Sequence, residues 1–68
     1  MTKREQNVEW LLSTAEKAGL TIGMIDPYIR LAQSLFPTAS EATIRSYART
    51  VLRLRRLKRN QSSKEAGL

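Results

Sequence analysis

The chain predicts an all-α fold of three helices, the third of them long and basic. Three observations carry this. Apolar residues recur at spacings of three and four along most of the length. Start and stop signals at Thr2, Gly19, Asp26-Pro27 and Pro37 divide that pattern into three segments. Neither an alternating apolar run nor a tight-turn dipeptide signals a β-hairpin, and no internal repeat is present.

The first helix is expected from about Lys3 to Ala18. Thr2-Lys3-Arg4-Glu5 has the pattern of a capping box, in which the Thr2 hydroxyl accepts from the Glu5 amide and the Glu5 carboxylate returns to the Thr2 amide. Val8, Leu11, Leu12, Ala15 and Ala18 form its apolar stripe, and Gly19 supplies a left-handed stop. Leu20 to Ile25 reads either as a short capped turn or as an extended piece lying on the core. At Asp26-Pro27 aspartate is expected to cap and proline to take the first helical position. The second helix is expected from about Pro27 to Phe36, with Ile29, Ala32, Leu35 and Phe36 inward and Tyr28 and Leu31 beside them. Pro37 ends it, because the residue before proline disfavours helix. The third helix has two competing caps, Thr38 and Ser40, and runs without a breaker to about Asn60. The expected organisation is one domain over residues 1–60 and a frayed tail over 61–68.

Size and composition narrow the possibilities. A chain of 68 residues buries a modest share of its surface. Without cysteine it has no disulfide to staple it, and without histidine a zinc-type site is not expected. Self-association is the remaining staple, so a homodimer is expected. No apolar run approaches the roughly 20 residues that span a bilayer, and no leader pattern is visible, which reads as a cytoplasmic protein with no membrane partner. The residues suggest no catalytic group, no cofactor and no small-molecule ligand: there is no His or Cys, no Gly-rich phosphate loop and no close carboxylate pair.

Charge points to a partner instead. The net charge is +6, unevenly placed. Residues 1–42 hold four basic and five acidic side chains, whereas residues 43–68 hold eight basic and one acidic. Such asymmetry speaks of a polyanion rather than of fold. Thr43 to Arg59 carries seven basic residues and no acidic one. At about 100° per residue from Ile44, the residues Ala48, Tyr47, Val51, Leu52 and Leu54 fall within roughly 80° and make the core face. Arg45, Arg49, Arg53 and Arg56 fall together between roughly 100° and 180° as one ridge, with Thr43, Ser46 and Thr50 on the remaining polar side. Arginines at i, i+4 and i+8 repel by a few tenths of a kcal/mol per pair, with nothing acidic expected to offset it. A phosphate backbone would reverse that sign.

The stretch from Asp26 to Val51, "DPYIRLAQSLFPTASEATIRSYARTV", resembles a helix-turn-helix unit, in the style of small regulators of prokaryotes, archaea, plasmids and phages. It departs from that family in having no glycine in its turn, "FPTAS"; Ala32 or Ser34 would be the small residue of the supporting helix. The resemblance implies a DNA-binding transcriptional regulator whose third helix enters the major groove of double-stranded DNA. It assigns contacts with bases or phosphates to Thr43, Arg45, Ser46 and Arg49; Arg53, Arg56 and the later Arg55, Lys58 and Arg59 are expected to meet phosphates or to lie beyond the duplex. Trp10 and Leu57 fall away from the core faces, and Leu54 and Leu57 lie where the third helix outruns the first two; Trp10, Leu54 and Leu57 are the candidates for a dimer interface. Four other readings compete: a nucleic-acid binder without sequence preference (chromatin-like or RNA-binding), a module docking an acidic protein partner, a membrane-surface amphipath, which Asp26-Pro27 and the two further helices disfavour, and a solvated basic face with no ligand.

Overall fold

A computed structural model describes residues 2–66, and their side chains over residues 2–59. It is all-α, with α1 spanning Lys3–Ala18, α2 spanning Asp26–Leu35 and α3 spanning Glu41–Ala66. α3 therefore continues through most of the expected 61–68 tail; Gly67 and Leu68 of that tail lie outside the described residues.

The ends of α1 follow from local chemistry. Thr2 Oγ1 accepts from the Glu5 amide at 3.2 Å. The expected return bond from the Glu5 carboxylate is not formed among the described residues. Gly19 takes φ 68° and ψ 33°, where a Cβ would be strained. That turn lets the Gly19 amide reach the Glu16 carbonyl and the Leu20 amide reach the Ala15 carbonyl, the paired bonds of a Schellman stop. Leu20 and Ile22 then lie against the core, as the second reading of this stretch expected, in irregular chain with bends at Ile22, Gly23 and Ile25.

α2 corrects the sequence expectation at its start. Ile25 already has helical angles, φ −84° and ψ −26°, and its carbonyl accepts from the amides of Tyr28 and Ile29. Ile25 therefore occupies the cap position, Asp26 is the first helical residue, and its side chain makes no capping bond. Its carboxylate still sits favourably in the first turn, near the positive end of the helix dipole. At the far end Phe36 leaves the helix at φ −127° and ψ 67°, as a residue before proline must. Between the two candidate caps of α3, Ser40 is the one used: its Oγ accepts from the Thr43 amide at 3.2 Å and donates to Thr43 Oγ1 at 2.9 Å.

The topology follows from which residues meet. Arg4, Asn7 and Glu16 of α1 meet Ser46, Tyr47 and Lys58 of α3 in that order, so the two helices run parallel. Tyr28 and Phe36 meet Arg55 and Tyr47, so α2 runs back against α3. The core is Val8, Leu11 and Ala15 from α1, Tyr28 and Ala32 from α2, and Ile44, Tyr47, Ala48, Val51 and Leu52 from α3. Each helix contributes one fully buried alanine, Ala15, Ala32 or Ala48, which lets the axes approach closely.

Three expectations about faces change. Tyr28, expected beside the inner face of α2, is fully buried at its centre, while Ile29, Leu35 and Phe36 are only half-buried. Leu54, expected on the core face of α3, is 41% exposed: it lies at the edge of the apolar arc. Arg55, expected to reach for phosphate, turns inward. Its Nη1 donates to the Leu20 carbonyl and to the Tyr28 hydroxyl, tying α3 to the α1–α2 link and to the largest buried side chain. No buried side-chain polar atom among the described residues lacks a partner.

Two stability measurements test these assignments. Arg55→Ala strands two acceptors and should lower stability by about 1.5–3 kcal/mol, the range for bonds to a charged donor. Urea unfolding followed by circular dichroism reads this, with the exposed Arg59→Ala as control; equal small effects for both would refute the clamp. Ser40→Ala should cost about 1 kcal/mol as a lost N-cap, while Thr38→Ala should cost only a few tenths. The reverse order would return the cap to Thr38.

Candidate nucleic-acid interface

α1 and α2 cover one side of α3, and the opposite side carries the arginines. Arg45, Arg49, Arg53 and Arg56 are all exposed. They extend over about 16 Å of helix at 1.5 Å per residue. Shallow grooves flank the row. One is lined by Glu41, Ala42, Arg45, Ser46, Arg49 and Thr50. The other is lined by Gly23, Ile25, Arg49, Leu52, Arg53 and Arg56, so Arg49 borders both.

The four arginines are not equivalent. Arg49 and Arg53 make no hydrogen bond or ion pair among the described residues. Arg56 donates through Nε to the Ile22 carbonyl at 3.3 Å, which anchors its stem to the α1–α2 link. Arg45 pairs with Glu41 at 2.9 Å, one turn earlier on the helix. This corrects the expectation that nothing acidic offsets the ridge: Glu41 lies just before the acid-free stretch and reaches back over it. Both partners are well exposed, so the bond is a weak and exchangeable one.

The hydroxyls expected to serve a ligand are already engaged. Thr43 bonds with Ser40, and Thr50 donates to the Ser46 carbonyl at 2.9 Å. Ser46 accepts at 2.8 Å from Arg4 Nη2, reaching across from α1. Tyr47, expected on the core face, is buried, and its hydroxyl accepts from Asn7 Nδ2 at 3.3 Å.

Arg4 is the residue that the reading of α3 alone misses. Its guanidinium lies 5.4 Å from the centre of the Tyr47 ring while it holds Ser46. It therefore adds a positive charge beside the Ser46 groove, from a different helix. No sequence signal could have paired Arg4 with Ser46, because only the parallel packing of α1 on α3 sets that register. Glu41 and Arg55 did have signals. Glu41 and Arg45 have the i, i+4 spacing of an ion pair. Arg55 falls roughly 20° from Ile44 on the helical wheel, at the middle of the core face.

Of the suggested dimer residues, Trp10 is 51% exposed and Leu57 50%. Trp10 is not bare. Its ring meets Phe36 edge-to-face at 5.3 Å, and Phe36 meets Tyr47 at 5.4 Å. Leu54 and Leu57 are both exposed on α3. Among the described residues no group of acidic side chains could hold a metal, and no helix is long and apolar enough to cross a membrane. No protein-family model matches the chain, and comparison with curated proteins and with solved structures finds no match.

Because Arg49 and Arg53 make no hydrogen bond or ion pair among the described residues, removing them should not harm folding. Arg49→Ala and Arg53→Ala should each leave unfolding stability within about 0.5 kcal/mol of the parent chain, or raise it slightly by relieving repulsion. A loss above about 1 kcal/mol in thermal or urea unfolding would mean that the row serves the fold.

Proposed function

We propose that this protein binds double-stranded DNA through the outward face of α3 and acts as a small transcriptional regulator. The observation that carries this reading is the exposed row Arg45, Arg49, Arg53 and Arg56, of which Arg49 and Arg53 make no hydrogen bond or ion pair among the described residues. Like charges at helical spacing are mildly unfavourable in the free chain, and a phosphate backbone turns that into attraction. Duplex DNA offers about one charge per 1.7 Å of axis, so a row of this length meets several phosphates.

The roles divide by what each side chain already touches. Arg49 and Arg53 are the phosphate contacts, since their donors are uncommitted. Arg45 is the base reader, held in place by Glu41 and free to fork onto guanine when that weak pair opens. Ser46 and Thr43 contribute chiefly by positioning: Ser46 fixes Arg4 beside the groove, and Thr43 secures the helix start that would approach the bases. Leu54 and Leu57 are the surface that a second subunit would cover, giving a homodimer with two recognition helices.

Duplex binding measured against salt tests the proposal. For the parent chain log affinity should fall linearly with log salt. Arg49→Ala and Arg53→Ala should each reduce that slope by about one unit, uniformly across sequences. Arg45→Ala should instead weaken preference between sequences by a few kcal/mol at most while leaving the slope closer to the parent value. Absence of salt-dependent binding to any duplex would end this reading and turn attention to an acidic protein partner.

A further inference from the structure

A second surface lies on the side of Arg4 away from the arginine row. The first turns of α1 and the α2–α3 link enclose a groove lined by Lys3, Arg4, Asn7, Trp10, Phe36 and Thr38, among others. It joins features that nothing in the fold requires together. Trp10 is the only tryptophan in the chain, and half its surface is open. The ring is nevertheless braced, through Phe36, onto the buried Tyr47. Two cations, Lys3 and Arg4, line the same groove, and none of its lining residues is acidic. Glu9, Glu16 and Lys58 lie on the other flank of Trp10, where Lys58 pairs with Glu16 at 3.7 Å and Glu9 is left as the excess charge. The groove with Lys3 and Arg4 is thus the more positive side of the indole and the one that favours an anion.

We propose that this groove binds an unpaired nucleotide of a single-stranded nucleic acid. Its base stacks on Trp10 and its phosphate is met by Lys3 and Arg4. Aromatic platforms beside a positive groove are the general means of holding single strands, because every base has a π-face and every linkage a charge. The braced ring gives a platform already in position, so little ordering is needed on binding. Asn7 and Thr38 supply polar groups at the rim. Arg4 also holds Ser46, which lines the Arg45–Arg49 groove, so a strand leaving Trp10 passes directly onto the row on α3. The inference goes beyond duplex binding and does not depend on it, since Lys3 and Trp10 stand on α1.

Trp10 fluorescence provides the test. The full chain is titrated with a short oligothymidylate, with a mixed-sequence duplex and with inorganic phosphate, at two protein concentrations. Saturable quenching by the oligothymidylate, and none by phosphate, is the expected result. With a fluorescein-labelled oligothymidylate, anisotropy should show Trp10→Ala weakening binding by roughly 5- to 150-fold, Trp10→Phe retaining most of it, and Lys3→Ala reducing its salt dependence. Circular dichroism checks that each variant is folded; should Trp10→Ala unfold, quenching of the parent chain and the Trp10→Phe result decide. No quenching by the oligothymidylate, or unchanged affinity in folded Trp10→Ala, overturns the inference. A fluorescence change that follows protein concentration alone overturns it too, and places Trp10 in a subunit interface. Arg49→Ala and Arg53→Ala separate the two readings: loss of duplex binding with quenching intact leaves the Trp10 groove acting alone.

Discussion

A single helix serves as the wall against which everything else is buried. α1 and α2 are too short to enclose a core between themselves, and both press on the stripe Ile44, Tyr47, Ala48, Val51 and Leu52 of α3. A stripe shared by two helices must be wide, and the remaining arc of α3 is left facing water. The arginine row occupies that arc. Core and candidate interface are thus two sides of one helix, and neither can rotate without displacing the other. Residues whose only visible role is electrostatic are held in place by residues whose only role is packing.

The same constraint explains why arginines of similar sequence context have different fates. Arg53, Arg55 and Arg56 are near neighbours in the chain. Successive helix positions turn by about 100°, so Arg55 points inward while its neighbours point out. Inside, its guanidinium finds a backbone carbonyl and the Tyr28 hydroxyl, and an amphipathic stem suits the half-buried path between them. Arg56 is intermediate, with one bond to the Ile22 carbonyl and the rest of its fork exposed. The loop at residues 20–25 is consequently held by side chains of α3, although it contains no regular structure of its own.

The parallel course of α1 along α3 brings both helix starts to one end of the molecule. There Arg4 touches Ser46 and Tyr47, Glu41 touches Arg45, and Trp10 stands on Phe36. Arg4 and Arg45 bring positive charge to this end from α1 and α3, with Glu5 in the first turn of α1 and Glu41 paired with Arg45. A carboxylate at that place weakens attraction to any phosphate and so favours a ligand that offers it a donor. On the proposed function, such a carboxylate would select among polyanions in a way that a uniformly basic face would not.

The sequence by itself determined the number of helices, their approximate bounds and the existence of the arginine row. Each of these depends on interactions between residues close in the chain. Gly19 needs only its own backbone freedom to end α1, Pro37 needs only its neighbour to end α2, and Arg45, Arg49 and Arg53 share a face by helical geometry alone. Local rules reached less far where two neighbours compete: Ser40 over Thr38 as cap, Ile25 over Asp26 at the start of α2. Tertiary structure alone decided that Tyr28 is central while Leu54 is exposed, since burial at the margins of a stripe depends on where partner helices end. It alone set Arg4 against Ser46 and Trp10 against Phe36. Those pairs are joined by the parallel register of α1 on α3 and by the return of α2 between them, and the spacing of residues along the chain carries no record of either.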